Sequence, residues 1–568
     1  MWRPAPAHSV RRVSNAFAIA ALLMTAAVSA APAAGQSLPT TPVVLSGQAA
    51  PGTGASYARL GTASINNSGQ VRFDATVAGP SVTPADDSAA FLGPAVGGGG
   101  PQLLAREGQP APGIAGSVLG ELFFVPHAVT PQGQSLVSGE LRTGGAPDGR
   151  AYFGGTPGDL RLVYRPGPFE VVHGNPAVGA GPRAVLWTQG RGIVHWDGTT
   201  TSTVATPGEY FQPTLNGAGR IAFTAYNTDV ETQAPGLYAG TGAGDFRPVT
   251  VRGAAAPGLP AGHTFDLVLD ASQNDAGGFA FIASARSDKP ESYTWGLWAG
   301  RPGELRLLAR DGQPAPGLPA GLRFERVLFD IDSTTRVPIG AAGHVTFWAA
   351  LEDEAGAYQG TSAWLALPDG GTALLARRGD AVTAPLPGGG TAQLAVGRIE
   401  HDAMWVNGAG QVVLFAETLA PGEEFAPDSL LAAGPGGALH LIARPGMPFE
   451  VAPGDVRTVS DVSAGTGGGT GGQDGLPSPF NDAGQFVYRL SFTDGTSGLF
   501  LTTVPEPGTA GVVGLLAAVA LAVRRCRCRR MKGFWNPRSI AIRDRGFQVV
   551  LIQRRPLAAS LAVGEIRA

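Results

Sequence analysis

Cysteine is nearly absent. The 568 residues hold two, Cys526 and Cys528, both close to the C-terminus. Residues 36–504 therefore fold without a disulfide. The two thiols are too close in sequence for an easy bridge, and no histidine stands beside them to complete a metal site. Charge is also scarce, at 15% of residues, and it is unevenly placed. Residues 524–568 hold twelve Lys/Arg and two Asp/Glu, and residues 1–35 hold three arginines and no acid. Residues 36–523 therefore carry −16 within a chain total of −3. A body this acidic argues against a nucleic-acid binder, which needs a basic surface to neutralise phosphates. It also argues against docking on anionic lipid.

The usual signatures of chemistry are missing as well. No histidines fall as His-x-x-x-His or His-Glu-x-x-His. No Gly-x-Ser-x-Gly elbow has partners in a plausible order. Gly-x-Gly matches such as Gly97–Gly100 lie in loops with no helix to follow, so they do not cradle phosphate. Asp330 with Asp332 and His401 with Asp402 are the nearest approach to a ligand pair. Adjacent strand residues point to opposite faces, so His401 and Asp402 are not expected to share a site. The sequence yields no catalytic residue, no metal site and no cofactor.

What is present is a repeat. Asn274-Asp275-Ala276-Gly277-Gly278-Phe279-Ala280-Phe281 follows the pattern Asn-x-x-Gly-x-x-Ala-Phe. Copies begin at Asn66 (Gly69), Asn216 (Gly219), Asn407 (Gly410) and Asn481 (Gly484), with altered copies at Thr130 and Gly340 and a worn one at Val178. Asn first and Gly fourth is type I turn chemistry. The side chain bonds backbone two residues on, and the glycine takes the left-handed conformation. Gly340 lacks that side chain, so its turn is expected to be looser. Each turn is followed by strand-like runs: first Ile221–Tyr226 and its equivalents, then Gly296-Leu-Trp-Ala-Gly300, then Leu305-Arg-Leu-Leu-Ala-Arg310, then Phe324-Glu-Arg-Val-Leu328. Glycine and proline sit at fixed places between them. Four short strands per repeat, at spacings of 38 to 74 residues, predict an all-β propeller of eight blades, with seven as the alternative. Val43–Gly52 matches the third run yet precedes the first turn, and the last repeat stops at Leu501 after its second run. The N-terminal strand is therefore expected to close the ring. Ser463–Gln473, rich in Gly and Thr, reads as a flexible loop.

The two ends carry addresses. Residues 1–35 read as a secretory signal peptide, with Arg3, Arg11 and Arg12, then an apolar run, then small residues at Ala30–Ala34. The exported domain is expected at 36–503. At 504–530 come Pro505-Glu506-Pro507, an apolar run over 508–523, and the cluster Arg524, Arg525, Arg527, Arg529 and Arg530. The run is a little short of the ~20 residues of a spanning helix, and the arginines would hold its far end in the cytoplasm. In this order the three parts resemble the PEP-CTERM sorting signal of exported Gram-negative proteins, many from bacteria that make extracellular polysaccharide. The resemblance implies recognition by an exosortase and removal of the helix, so that the protein sits in the inner membrane only transiently. A permanent anchor is the alternative. Residues 531–568 form a basic tail beyond the signal. The repeats themselves resemble tandem-repeat proteins named for the NxxGxxAF motif, with interchangeable C-terminal anchors.

One set of residues could bind anions. Arg106, Arg165, Arg310, Arg377 and Arg444 recur at the end of the third run, with Arg252 just before Gly253. As a ring on one face they could take carboxylates or sulfates of a polysaccharide. Otherwise each bonds nearby backbone or a carboxylate. Two readings follow. A non-catalytic binding or structural module, for polysaccharide or an envelope protein, predicts aromatic and arginine residues in a groove. A propeller-type glycoside hydrolase or polysaccharide lyase predicts converging carboxylates.

Overall fold

The computed structural model describes residues 38–505 apart from 95–98, 124–126, 206–208, 211–212, 228–233, 288–291, 328–335, 386–389, 424–425, 435–437, 466 and 468, together with 541–544 and 547–550. The signal-peptide residues 1–35 and Glu506, Pro507, Arg524, Arg525, Arg527, Arg529 and Arg530 lie outside the described residues. Ala541–Asp544 and Phe547–Val550 pair as a hairpin within a separate unit, residues 508–568. Among the described residues no helix is long and apolar enough to cross a membrane.

Residues 38–505 form an eight-bladed β-propeller, each blade an antiparallel sheet of four or five strands. Blade 5 shows the plan. Its strands Thr264–Gln273, Phe279–Arg286, Tyr293–Gly300 and Arg306–Arg310 pair in chain order, and the Asn274 turn joins the first to the second. The residue seven after the turn start points into the blade in every repeat: Phe73, Val137, Val185, Phe223, Phe281, Phe347, Leu414 and Tyr488 are all at most 2% exposed. In several blades it stacks on an aromatic of the third strand and meets another from the first. Phe281 lies 6.4 Å from Trp298, and Phe265 meets Trp298 edge-on at 5.0 Å. Blades 1 and 6 repeat this with Tyr57, Phe73 and Phe91, and with Phe324, Phe347 and Trp364. The worn copy at Val178 is a full blade, Val172–Gly179 through Thr201–Ala205.

The ring closes as the sequence offset requires. Blade 8 takes Asp455–Ser463, Gln485–Phe492 and Ser497–Thr503 from the end of the body and Thr40–Leu45 from its beginning. Thr41 pairs with Leu501 and Leu45 with Gly498.

The repeat turns do more than turn. In Asn216, Oδ1 accepts from the N–H groups of Ala218 (3.1 Å) and Arg220 (2.8 Å), while Nδ2 donates to Asn274 O of the next blade (3.1 Å). The fourth-position glycines, Gly69, Gly133, Gly219, Gly277, Gly343, Gly410 and Gly484, all have φ between 74° and 88°. The same forward link runs from Asn66 to Thr130, from Asn274 to Gly340, from Asn407 to Asn481, and across the closure from Asn481 to Asn66 (3.0 Å). A second layer runs backward. Asp275 accepts from Gly217 N–H at 2.6 Å and Asp482 from Gly408 N–H at 2.8 Å. Thr130, Val178 and Gly340 have no amide to donate. The Gly340 turn is not loose, however. It keeps both backbone bonds, Gly340 N to His344 O (2.8 Å) and Gly343 N to Gly340 O (2.9 Å). Glycine is required there, because a Cβ would come within 2.3 Å of Asn407 O.

The described part of the Gly/Thr-rich segment Ser463–Gln473, together with the residues after it through Phe480, forms a plug and not a flexible loop. Thr470, Asp474, Leu476, Ser478 and Phe480 are all at most 2% exposed. From blade 8 the segment reaches every other blade. It bonds Ile65, Val178, Leu215, Asp275 and Val406, bridges Ile339, and packs Gly472 on Val129. Contact with all seven places it on the ring axis. Where Val178 interrupts the asparagine links, the plug supplies bonds instead: Val178 N to Gly475 O and Leu215 N to Asp474 O, both 2.8 Å. Its glycines permit this closeness. A Cβ on Gly475 would sit 2.6 Å from Leu215 O.

Candidate ligand-binding face

Strand direction divides the ring into two ends. First and third strands run toward the asparagine turns, and second and fourth strands run away from them. The end opposite the turns is therefore built from starts of first and third strands, ends of second and fourth strands, and the loops between blades. All seven exposed large apolar residues identified among the described residues lie there. Tyr226 and Leu419 end second strands, and Tyr293 and Tyr358 start third strands. Val456 lies at the start of a first strand, and Phe169 and Val171 precede one. We call this the open end.

A cleft of about 550 Å³ opens between blades 4 and 5 at this end. Tyr226, 47% exposed, and Tyr293, 57% exposed, line it with Trp295, Ser284, Leu267 and Pro235. Ser284 and Trp295 are cross-strand partners, so the indole and hydroxyl are held by the ladder. Arg252 and Asp266 complete the lining. The Arg252 Nε–H donates to Asp266 O at 2.8 Å and lies 3.3 Å from Asp266 Oδ1, tying the end of blade 4 to the first strand of blade 5. Exposed aromatic faces beside a hydroxyl and a fixed ion pair can stack on an apolar ring face and hydrogen-bond its rim. A lone carboxylate paired to arginine is not an acid–base couple.

The recurring arginines do share an end of the ring, but they stand at its rim on edge strands and are engaged. Arg106 bonds Asp86 and Thr53 O, and Arg165 pairs with Asp148 at 3.0 Å. Arg310 donates to Asp311 O, Arg377 lies 3.7 Å from Asp380, and Arg444 bonds Thr418 and Glu423. Each is held by partners of its own blade or its flanking loops. Arg252 alone of this series lines the cleft.

His401 and Asp402 do come together, against the strand-alternation argument. The ladder of Thr391–Val406 slips between Ile399 and Met404, and this bulge turns successive side chains to one side. Ligand atoms of Glu400, His401 and Asp402, and of Glu400, Glu417 and Asp428, lie within 4.8 Å of one another. Burial pushes the Glu400 and Asp428 carboxyls upward, and Arg398 pulls them back. Arg398 sits 2.7 Å from Glu400 and 3.3 Å from Glu417, so positive charge is already supplied there. Among the described residues, these are the ones whose ligand atoms come close enough to hold a cation. The sequence singles out His401 and Asp402, but their convergence, and the part played by Glu400, Glu417 and Asp428, depends on a bulge that has no local signature here. Single-sequence reasoning missed the cleft because the lining comes from separate strands of two blades.

Similarity to known proteins is confined to the fold. No curated protein matches the chain by sequence. Solved structures similar to it include an oligogalacturonate lyase in complex with manganese, 12% identical, covering 84% of this chain and 99% of that one, with a TM-score of 0.34. An oligogalacturonate lyase from Vibrio parahaemolyticus is 8% identical over 71% of this chain and 98% of its own, at 0.33. An α-L-arabinofuranosidase from Fusarium graminearum is 10% identical over 70% and 98%, at 0.24. At such TM-scores none of these bears on activity. The model of one protein family matches residues 28–255, 189–383 and 247–511, overlapping as expected of a repeated chain, and on that coverage the chain belongs to the family of unknown function DUF7453.

Proposed function

We propose that this protein is an exported surface or extracellular-matrix component, sorted through its C-terminal signal, whose propeller is a non-catalytic module binding polysaccharide at the open end. The observation that carries the binding reading is the cleft between blades 4 and 5, with Tyr226, Tyr293 and Trp295 presented beside the Arg252–Asp266 pair. Sorting is supported by the order Pro505-Glu506-Pro507, apolar run 508–523, arginine cluster, and by the signal-peptide pattern in 1–35. Exosortase is the processing partner this implies. The test is affinity electrophoresis in the native host's extracellular polysaccharide. Retardation that Tyr293→Ala reduces severalfold is expected. Equal migration with and without polysaccharide would sink the reading.

The alternative, a propeller-type glycoside hydrolase or lyase, draws on one observation: the carboxylates of Glu400, Glu417 and Asp428 converge on blade 7. It requires new reducing ends or unsaturated products from the same polysaccharide, abolished by Glu400→Gln.

A further inference from the structure

We propose that the cleft takes an uncharged polysaccharide, laid as an extended chain across blades 4 to 6, with Tyr358 as a further stacking position. This rests on the polysaccharide-binding reading above and names its ligand class. Two observations carry it. The first is repetition. Tyr293 pairs with Arg286 and Tyr358 with Glu352, each partner twelve residues beyond the start of its turn, at 274 and 340. The two tyrosines therefore occupy the same place in adjacent blades. Both are more than half exposed, at 57% and 55%. With Tyr226 on blade 4, three consecutive blades each present a phenol at the open end. A single buried sugar pocket needs no such series, whereas a polymer lying along the face meets each ring in turn.

The second observation is charge. Arg252 in the cleft is tied to Asp266, and Arg323 beside Tyr358 is tied to Glu352 at 2.7 Å. Of the rim arginines, Arg106, Arg165, Arg377 and Arg444 are paired with carboxylates, while Arg310 bonds a backbone carbonyl. Arg286, opposite Tyr293, is an exposed cation of this stretch. Arg326 on the first strand of blade 6 is another, and the exposed Glu325 and Glu354 offset the two within a body, residues 36–523, whose formal charge is −16, which disfavours a polyanion. Stacking on tyrosine and tryptophan asks for no charge on the ligand.

The experiment uses the full-length chain in detergent and the host's extracellular polysaccharide, separated into neutral and acidic fractions and cut to graded lengths. Calorimetry should show binding of the neutral fraction, tightening with length and insensitive to salt between 50 and 300 mM. Tyr358→Ala should weaken binding of long fragments about threefold to tenfold and leave the shortest binding fragments unchanged, while Tyr293→Ala weakens both. Preference for the acidic fraction, with binding lost at high salt, would overturn the uncharged ligand. A Tyr358→Ala protein equal to the parent at every length would overturn the extended track. Failure of both fractions to bind would remove the polysaccharide reading itself.

Discussion

At the turn end of the ring, Asn66, Asn216, Asn274, Asn407 and Asn481 are at most 2% exposed, and each bonds its own turn and the next blade. At the open end, Tyr226, Tyr293 and Tyr358 are about half exposed. One end has each side chain doing two structural jobs. The other has side chains that stand about half in solvent at strand ends. An asparagine that both caps a turn and links blades has little freedom to vary. The open end is where a ligand-specific surface can be changed without loosening the ring.

The largest effect that would test this contrast comes from removing Leu38–Leu45. Strand Ser497–Thr503 would lose its outer partner and the buried Val44 its place. We expect a loss of about 5 kcal/mol or more, and aggregation through the open edge, read by thermal unfolding and light scattering. Next is Asn481→Ala, which strips the partner from Asn66 O and from Gln485 N–H. It should destabilise by about 2–4 kcal/mol in a urea titration. Tyr293→Ala, by contrast, should stay within about 0.5 kcal/mol of the parent. If the two cost the same, the distinction between the ends fails.

The pH response sharpens the picture of the closed end. His127 is buried, and burial, with Arg72 adding to it, holds its pKa down to about 3. A histidine depressed in the folded state stays neutral there while the unfolded chain takes up a proton. Its stabilisation is complete above about pH 6.5 and falls toward pH 3, by up to about 1.4 kcal/mol per pH unit. Asp474 runs the other way. Burial in the plug pushes it up to about 6, so its share is lost as pH rises from about 4 to 6. Relative to the parent, Asp474→Asn should therefore lose stability on acidification from about pH 6 to 4. His127→Gln should gain stability relative to the parent as pH falls below about 6.5. Chemical denaturation at each pH reads both.

Much of this ring was legible because its information is local. Asn and Gly three apart specify a turn whatever surrounds it, and the apolar residue at the eighth place reports the blade core. The worn blade at Val178 was legible from Gly181 and Val185, which keep their places, with Gly181 at φ 75°. The forward links could not be read, because they join Asn274 to a residue 66 positions away. The plug misled for a physical reason. Dense glycine signals flexibility in solution, but the same glycines are needed wherever backbone meets backbone, as Gly475 does against Leu215. The bulge at 400–403 and the cleft lining were likewise set by register between strands and blades, not by composition.

Closure by the first strand has a consequence for synthesis. Thr40 meets Thr502 across 462 positions, so the earliest strand made must wait, unpaired at its final edge, for the last. No intermediate length of chain can form the finished ring. A product truncated before Ser497, or nicked and stripped of its start, keeps an open blade and the plug's sequence without the circle that holds it. Closure of the ring thus makes the presence of both ends of the body a condition of the finished fold.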